Sequence, residues 1–501
     1  MNFSKIHLYL LLFLISTSSS LVNASPWIDA SDLYTRIDIQ NLANAGVIKA
    51  PVTTFPLMWA AISDDLEKAN TTNLSTHLVD AHRRLIAKYR QIKKNKNQQK
   101  IKLSFGNDQK RFNSFGSSQQ EKGQVSLSVE GMYGNWFGQL TTQYRKSPID
   151  GESKNIDNSQ IAYLAGNWMI KLGSYQQWWG PGWDSSLILS NNSRPLQAIG
   201  ISRYNSKSFE SPWLSWIGPW TLTAQMAKLE SQRAVPNALL WSTRATIRPI
   251  TELEIGLSWS LQWAGDGQPS SLKDFFKSVT GQEECANGAS TCDPSLNTKL
   301  GNHLAGIDIR WSTNIGGLPI AFYGQTIGED AVDYIKPADK AYLFGIDSFI
   351  PFKRPVHIFA EYTETQVACG GNSQVLNCYY EHGTYKTGYR YQRKAIGTTF
   401  DNDAKVWTLG LSQQTGNGHK WSAKLRLGTL NSDNKDTYPN TPSLGNQVAK
   451  VAEKLSQLEL TYHIPLLKGL FSISTDISHS RFIDKEDKNS VDVFANWEYR
   501  Y

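Results

Sequence analysis

The sequence predicts a mostly β fold: a transmembrane antiparallel β-barrel of about 18 strands, preceded by a small α-helical domain. Three observations carry that expectation. From about residue 100 apolar residues recur at every second position. The connections between these segments alternate between short and long. The chain also ends on Tyr501, with Trp497 and Tyr499 on the same face.

The elements follow in order. "MNFSKIHLYLLLFLISTSSSLVNASPW" sets Lys5 before a short apolar run and then small residues, the layout of a signal peptide cleaved after Ala24. Residues 25–98 read as a helical domain. In "NLSTHLVDAHRRLIAKYRQI", Leu74, Leu78, Ala81, Leu85, Tyr89 and Ile92 form one stripe at helical spacing. Gly46 is placed to end an earlier helix, and Pro56 to begin the next. The basic run "RRLIAKYRQIKKNKNQQK", with eight basic residues and no acid, reads as a solvated face, a linker or a segment near anionic headgroups.

From residue 99 to 501 the period is two. In "LEIGLSWSLQW", Leu253, Ile255, Leu257, Trp259, Leu261 and Trp263 share one face, and Glu254, Gly256, Ser258, Ser260 and Gln262 share the other. Such strands suit a soluble sandwich or a barrel with an apolar exterior. Short turns near 133–135, 249–252, 314–317, 351–354, 414–418 and 465–468 alternate with long polar loops, which is the pattern of bacterial outer-membrane barrels. The terminal aromatics suit an interfacial girdle. This reading puts 18 to 20 strands in the outer membrane, the helical domain in the periplasm and the long loops outside the cell. "SLKDFFKSV" and "NQVAKVAEKLS" in two of those loops read as short helices against the barrel mouth. The Trp-rich "NSKSFESPWLSWIGPW" falls on the periplasmic side, without an evident role.

Composition narrows the function classes. The chain carries 51 Lys and Arg against 44 Asp and Glu, and loss of residues 1–24 with Lys5 would leave 50 against 44. That mild excess does not point to nucleic acid. Cys285 with Cys292, and Cys369 with Cys378, read as two loop disulfides, since the spacing lacks metal-ligand pattern. No metal or cofactor is expected. Catalytic motifs are missing: Glu329 and Asp330 are adjacent and diverge on a strand, and His382 reads as a hydrogen-bonding residue. The expectation is therefore a protein that is not an enzyme.

"QQWWGPGWDSSLILSNNSRPLQ" gathers Trp178, Trp179 and Trp183 with Asp184, Asn191, Asn192 and Arg194. Indoles beside hydroxyl-binding and basic groups form a sugar platform. The same indoles also suit an interfacial girdle that ends a strand. On residue chemistry alone both readings stand.

Five segments in register resemble the Wzi family of capsule-assembly outer-membrane proteins: "NLANAGVIKAPVTTFPLMW", "WWGPGWDSSLILSNNSRP", "LEIGLSWSLQWAGDGQP", "NHLAGIDIRW" with "PIAFYGQTIGED", and "YEHGTYKTGYRYQRKAIGTTFDND". The resemblance implies an 18-strand outer-membrane barrel with a periplasmic helical bundle, largely closed to solutes. It further implies a lectin that attaches capsular polysaccharide or exopolysaccharide to the bacterial surface. By that resemblance Trp178, Trp179, Trp183, Arg194, Tyr323, Glu329, Asp330, Tyr385, Tyr389 and Arg390 are candidate surface or structural motif positions. Expected partners are the polysaccharide, outer-membrane lipid and lipopolysaccharide, and polysaccharide export machinery, around a monomeric barrel. The alternative reading is a diffusion porin for sugars or other small solutes.

Overall fold

The computed structural model describes residues 25–501 apart from 95–96, 118–120, 280–300, 330, 333–335, 338–339, 351, 353, 369–377, 436–444 and 484. The expected signal peptide, Asp330, Cys285, Cys292 and Cys369 lie outside the described residues. Cys378 is disulfide-bonded.

Among the described residues, eighteen antiparallel strands close a barrel. They are β1 (Asn97–Gly106), β2 (Gly123–Tyr133), β3 (Trp136–Lys146), β4 (Gln160–Ala165), β5 (Trp168–Ser174), β6 (Gln197–Arg203), β7 (Trp220–Lys228), β8 (Leu239–Ile250) and β9 (Leu253–Trp263). The wall continues with β10 (Gly301–Ile315), β11 (Leu318–Glu329), β12 (Lys340–Ile350), β13 (Val356–Glu364), β14 (Lys405–Gln414), β15 (Lys420–Leu430), β16 (Glu453–Leu466), β17 (Gly469–Phe482) and β18 (Lys488–Arg500). Closure is made by β18 on β1, with Trp497 opposite Leu103 and Arg500 opposite Lys100. The two-residue segment Lys154–Asn155 pairs additionally with β3.

The period of two decides which way each side chain points. Along β9 the even-numbered Glu254, Ser258, Ser260 and Gln262 are buried in the lumen, while Leu257 stands exposed on the outer wall. Along β18 the outward residues are Val491 and Val493, then Trp497, Tyr499 and Tyr501, whose rings stack at 5.9 and 5.4 Å. An apolar exterior with a polar interior inverts a soluble core. It needs lipid outside and hydrogen-bonding partners inside, and closure leaves no unpaired strand edge.

Three helices precede the wall: α1 (Leu33–Asn44), α2 (Trp59–Lys68) and α3 (Thr76–Lys94). Asp32 caps α1 by accepting the Thr35 N–H at 3.1 Å. Gly46, at φ +73°, ends it in the left-handed region with its N–H on the Ala43 carbonyl. The expected stripe of α3 packs inward through Ala81 and Leu85, with Leu78, Tyr89 and Ile92 at its margin. The basic run is partly engaged, because Arg84 grips Asp38 with two bonds at 2.8 and 2.7 Å and Lys88 pairs with Asp32. Pro56 does not begin a helix. It lies between two short strand pairs, Thr54–Phe55 with Trp178–Trp179 and Leu57–Met58 with Trp27–Ile28, and α2 starts at Trp59.

One end of the barrel carries short turns, such as Gly134–Asn135 and Leu467–Lys468, together with the helices and the chain end. The opposite end carries the long loops. Two loop expectations are corrected. The helix α4 (Leu272–Val279) packs on the outer wall, where Phe275 meets Trp241 at 5.7 Å and Trp263 at 4.9 Å, so it does not narrow the mouth. Residues 446–456 form no helix: they are irregular until Glu453 opens β16, whose inward residues impose the period of two. The segment 204–219 between β6 and β7 lies at the short-turn end, as expected, and holds a single turn of 3-10 helix at Ser215–Ile217.

Candidate functional site: a filled lumen beneath the long loops

The inward charges of the strands demand partners, and three inserted segments supply them. The first comes from the helical domain. Glu254 of β9 accepts the N–H groups of Val52 and Thr53 and the Thr53 hydroxyl, at 2.6 to 3.0 Å. Arg244 of β8 donates to Thr53 and Thr54 while holding Asp308 of β10. Arg248 reaches the carbonyls of Ile48 and Ala43 at 2.8 and 2.6 Å. The chain from Val47 to Met58 is thereby bolted to the wall at the short-turn end.

The second segment is the Trp-rich connection between β5 and β6, which turns into the lumen. Trp178 and Trp179 pair in antiparallel register with Phe55 and Thr54. Arg36 of α1 donates to the carbonyls of Pro181 and Gly182 at 2.8 and 2.9 Å, its guanidinium lying 4.2 Å over Trp183 and 4.3 Å over Phe115. A Cβ at position 182 would collide with the Ser185 carbonyl oxygen, so the close turn requires glycine. That turn aims three successive N–H groups, of Trp183, Asp184 and Ser185, at the Glu361 carboxylate of β13. Trp183 Nε1 donates to Asp347 of β12 at 2.8 Å, and Arg310 of β10 holds the same carboxylate.

Asp184 then binds Arg426 of β15 through two bonds, at 2.8 and 2.6 Å. Burial raises the Asp184 carboxyl, but the Arg426 guanidinium more than offsets it and leaves the group below its usual range. Arg426 also meets Glu459 at 2.9 Å. Arg194, at the far end of the segment, clasps Asp157 at 2.7 and 2.9 Å and reaches Asp150 and Glu152. Burial alone would lower the Arg194 guanidinium, and these carboxylates hold it above its ordinary value.

The third segment is the connection between β13 and β14. Arg390 binds Asp401 and Glu381, its nearest bonds at 2.7 Å. Tyr380 receives its anchor from Glu329, which accepts its N–H at 2.6 Å, and stacks on Tyr389 at 5.5 Å. Tyr385 donates to the Ala264 carbonyl at 3.1 Å. Loop meets loop directly: the Tyr380 hydroxyl donates to Leu187 O, Ser190 N–H to Ile396 O, Ser185 to Thr398, and Asn192 to Ala395 O.

The expected sugar platform is therefore an interior wall. Trp178, Trp179, Trp183, Asp184, Asn191, Arg194, Tyr323, Glu329, Tyr385, Tyr389 and Arg390 are all buried. Asn191 donates to Ala30 O, and Tyr323 donates to Glu361. The physical reason is the charge on the inward strand faces: Asp347, Glu361 and Arg426 draw the segment inward. No indole face of the three is open for stacking. Arg36, Asp347, Glu361, Arg426 and Glu459 were not singled out in the sequence. For the four on strands the signal is a charge in the inward register of an alternating strand, as at Glu361 in "HIFAEYTE" and Arg426 in "AKLRLG"; Arg36, on α1, carries no such signal. His382 serves the backbone, its Nδ1 accepting from the Thr384 and Tyr385 N–H groups at 3.1 Å. Polar residues stand open at the long-loop end, among them Glu152, Lys154, Lys386 and Lys485, with Ile156 and Ile483 exposed beside them.

Comparison with known proteins agrees with this architecture. An uncharacterized 55.8 kDa protein in the cps region of Klebsiella pneumoniae is 28% identical over 461 residues, covering 90% of this chain and 87% of that one. The solved structure of Escherichia coli Wzi superposes with a TM-score of 0.80 at 24% identity, over 95% of this chain and 99% of that one. That protein is described as an outer-membrane protein involved in group 1 capsule assembly and as a carbohydrate-binding β-barrel. The sequence signature described as Capsule assembly protein Wzi matches residues 92–493, and the chain belongs to that family.

Proposed function

We propose that this protein is an outer-membrane barrel that attaches capsular or related exopolysaccharide to the cell surface, by binding and without catalysis. The long-loop end faces outward and the helices face the periplasm. The observation that carries the reading is the filled lumen of a capsule-assembly family member. Two loops and a head segment occupy the space a diffusion porin needs, and they brace the long-loop end in one shape. The likeness to the carbohydrate-binding barrel supports a glycan as the ligand.

The buried tryptophans and arginines act as positioning residues for that surface. Sugar contacts fall to exposed polar residues such as Lys154 and Lys386. Each contact is weak, and a polymer that spans many copies gains avidity from effective concentration. Lipid and lipopolysaccharide surround a monomeric barrel, and the helical domain faces the export machinery.

Purified protein in liposomes, mixed with purified capsular polysaccharide and floated on a density gradient, tests the binding step. Polymer is expected to float with the protein-bearing liposomes and to remain below with empty ones. Equal distribution in both would remove the reading.

A further inference from the structure

A cavity of about 590 Å³ remains inside the barrel after the three segments have packed. Its walls are the inward faces of β1 to β4 and β15 to β18. Ser114–Ser117 and Ser193 close it toward the long loops, and Asp32 and Tyr34 of the helical domain border it. It reaches the short-turn end at Lys468 and Gly469, where β16 turns into β17. Its volume lies in the range of about 300–1,000 Å³ usual for small-molecule sites.

The lining is cationic and rich in hydroxyl and amide groups. Nine Lys or Arg face five Asp or Glu there. Several are paired: Lys110 and Lys424 both reach Glu459 at 3.1 Å, and Arg500 meets Glu498 at 2.7 Å. Among the described residues, Lys100 and Lys420 have no carboxylate at ion-pair distance. Lys420 Nζ instead lies 4.8 Å over the Tyr34 ring. Around them stand Ser126, Thr141, Gln143, Ser422 and Ser472.

We propose that this cavity is a binding site for an acidic saccharide, a uronate-bearing fragment of two or three sugars that enters from the short-turn end. Lys100 and Lys420 supply charge for the carboxylate, and the Ser, Thr and Gln side chains exchange hydrogen bonds with the sugar hydroxyls. A neutral sugar would make no use of the excess of cations over carboxylates in the lining, and a bare inorganic anion would leave the hydroxyl-binding wall unused. The site is separate from the long-loop surface, so it neither requires nor is required by polymer attachment there.

The test is equilibrium binding of trigalacturonate to the purified full-length protein in detergent, with maltotriose and inorganic phosphate as comparisons. Trigalacturonate is expected to bind, phosphate to fail to displace it, and maltotriose to give no signal. The double variant Lys100→Gln/Lys420→Gln should bind it more than tenfold more weakly while keeping a folded, heat-modifiable barrel. A bulky maleimide on Lys468→Cys should block binding, and the same label on Lys485→Cys at the opposite end should not. No binding, equal binding of maltotriose, displacement by phosphate alone, or unchanged affinity in the double variant would each overturn the proposal. Binding that only the Lys485→Cys label blocks would move it to the long loops and overturn it as well.

Discussion

Asp184 and Arg426 stand 242 positions apart in the chain and meet inside the barrel through two charge-assisted bonds of 2.6 and 2.8 Å. The pair joins the Trp-rich segment to the wall, with Glu459 and Gln457 on Arg426 and with Thr408 and Lys424 on Asp184. A buried pair contributes little relative to an apolar substitute, yet removing one partner strands the other.

Arg426→Met should therefore destabilise the barrel by about 1–3 kcal/mol, because Asp184 loses both guanidinium bonds and keeps only Lys424, at 3.7 Å, while Glu459 keeps Lys110 and Lys424. The temperature at which the heat-modifiable band collapses should fall. In planar bilayers the wild type should be silent and the variant should show discrete conductance steps as the Trp-rich segment loosens. Frequent steps from the wild type would instead favour a porin.

The three indoles should behave as interior residues of unequal weight. Trp178→Ala empties a fully buried site and should cost about 3–5 kcal/mol. Trp183→Phe keeps most of the ring and removes the bond to Asp347, so about 1–3 kcal/mol is expected. Loss of polymer retention in these variants should track loss of folded barrel. Retention lost from a barrel of unchanged stability would return the indoles to direct sugar contact.

Asp403, in the connection from β13 to β14, gives the long-loop end a pH dependence. Burial and the neighbouring Asp433 carboxylate raise it from an ordinary 3.8 to about 6, although the Asp433 N–H donates to it at 2.8 Å. A carboxyl raised in the folded state contributes stability that is fully present below pH 4 and is lost as pH rises through 6. Hydrogen exchange of residues 401–403 and 431–434 should accordingly be slower at pH 4 than at pH 7, after correction for intrinsic rates. Asp433→Asn removes the like charge and should shrink that difference. An equal difference in both proteins would contradict the assignment.

Trp213 and Trp216, between β6 and β7, are 86% and 65% exposed at the short-turn end. Solvent-exposed indoles beside an apolar wall belong at a lipid headgroup layer. The part of the wild-type fluorescence that Trp213→Phe/Trp216→Phe removes should be quenched more by lipids brominated near the headgroup than by lipids brominated deep in the chain. Quenching by aqueous iodide alone would place them in water.

Much of the fold is legible in the sequence because a strand wall needs only local information. The alternation in "LEIGLSWSLQW" fixes which side chains face lipid, and Gly46 marks a helix end without reference to the rest of the chain. The site is less legible because its partners are remote. Trp183 reads equally as a girdle or a sugar platform until Glu361 and Asp347 are known to lie beneath it, 178 and 164 positions away. A charged residue in the inward register says that a partner exists, and only the closed barrel says which.

Attachment is tested most directly by where surface polysaccharide resides, measured as the partition between cells and culture supernatant in the wild type, a deletion strain and its complemented derivative. Total polymer should be unchanged, shifting into the supernatant on deletion and returning to the cells on complementation. Polymer that stays on the deletion cells in the wild-type amount would contradict attachment.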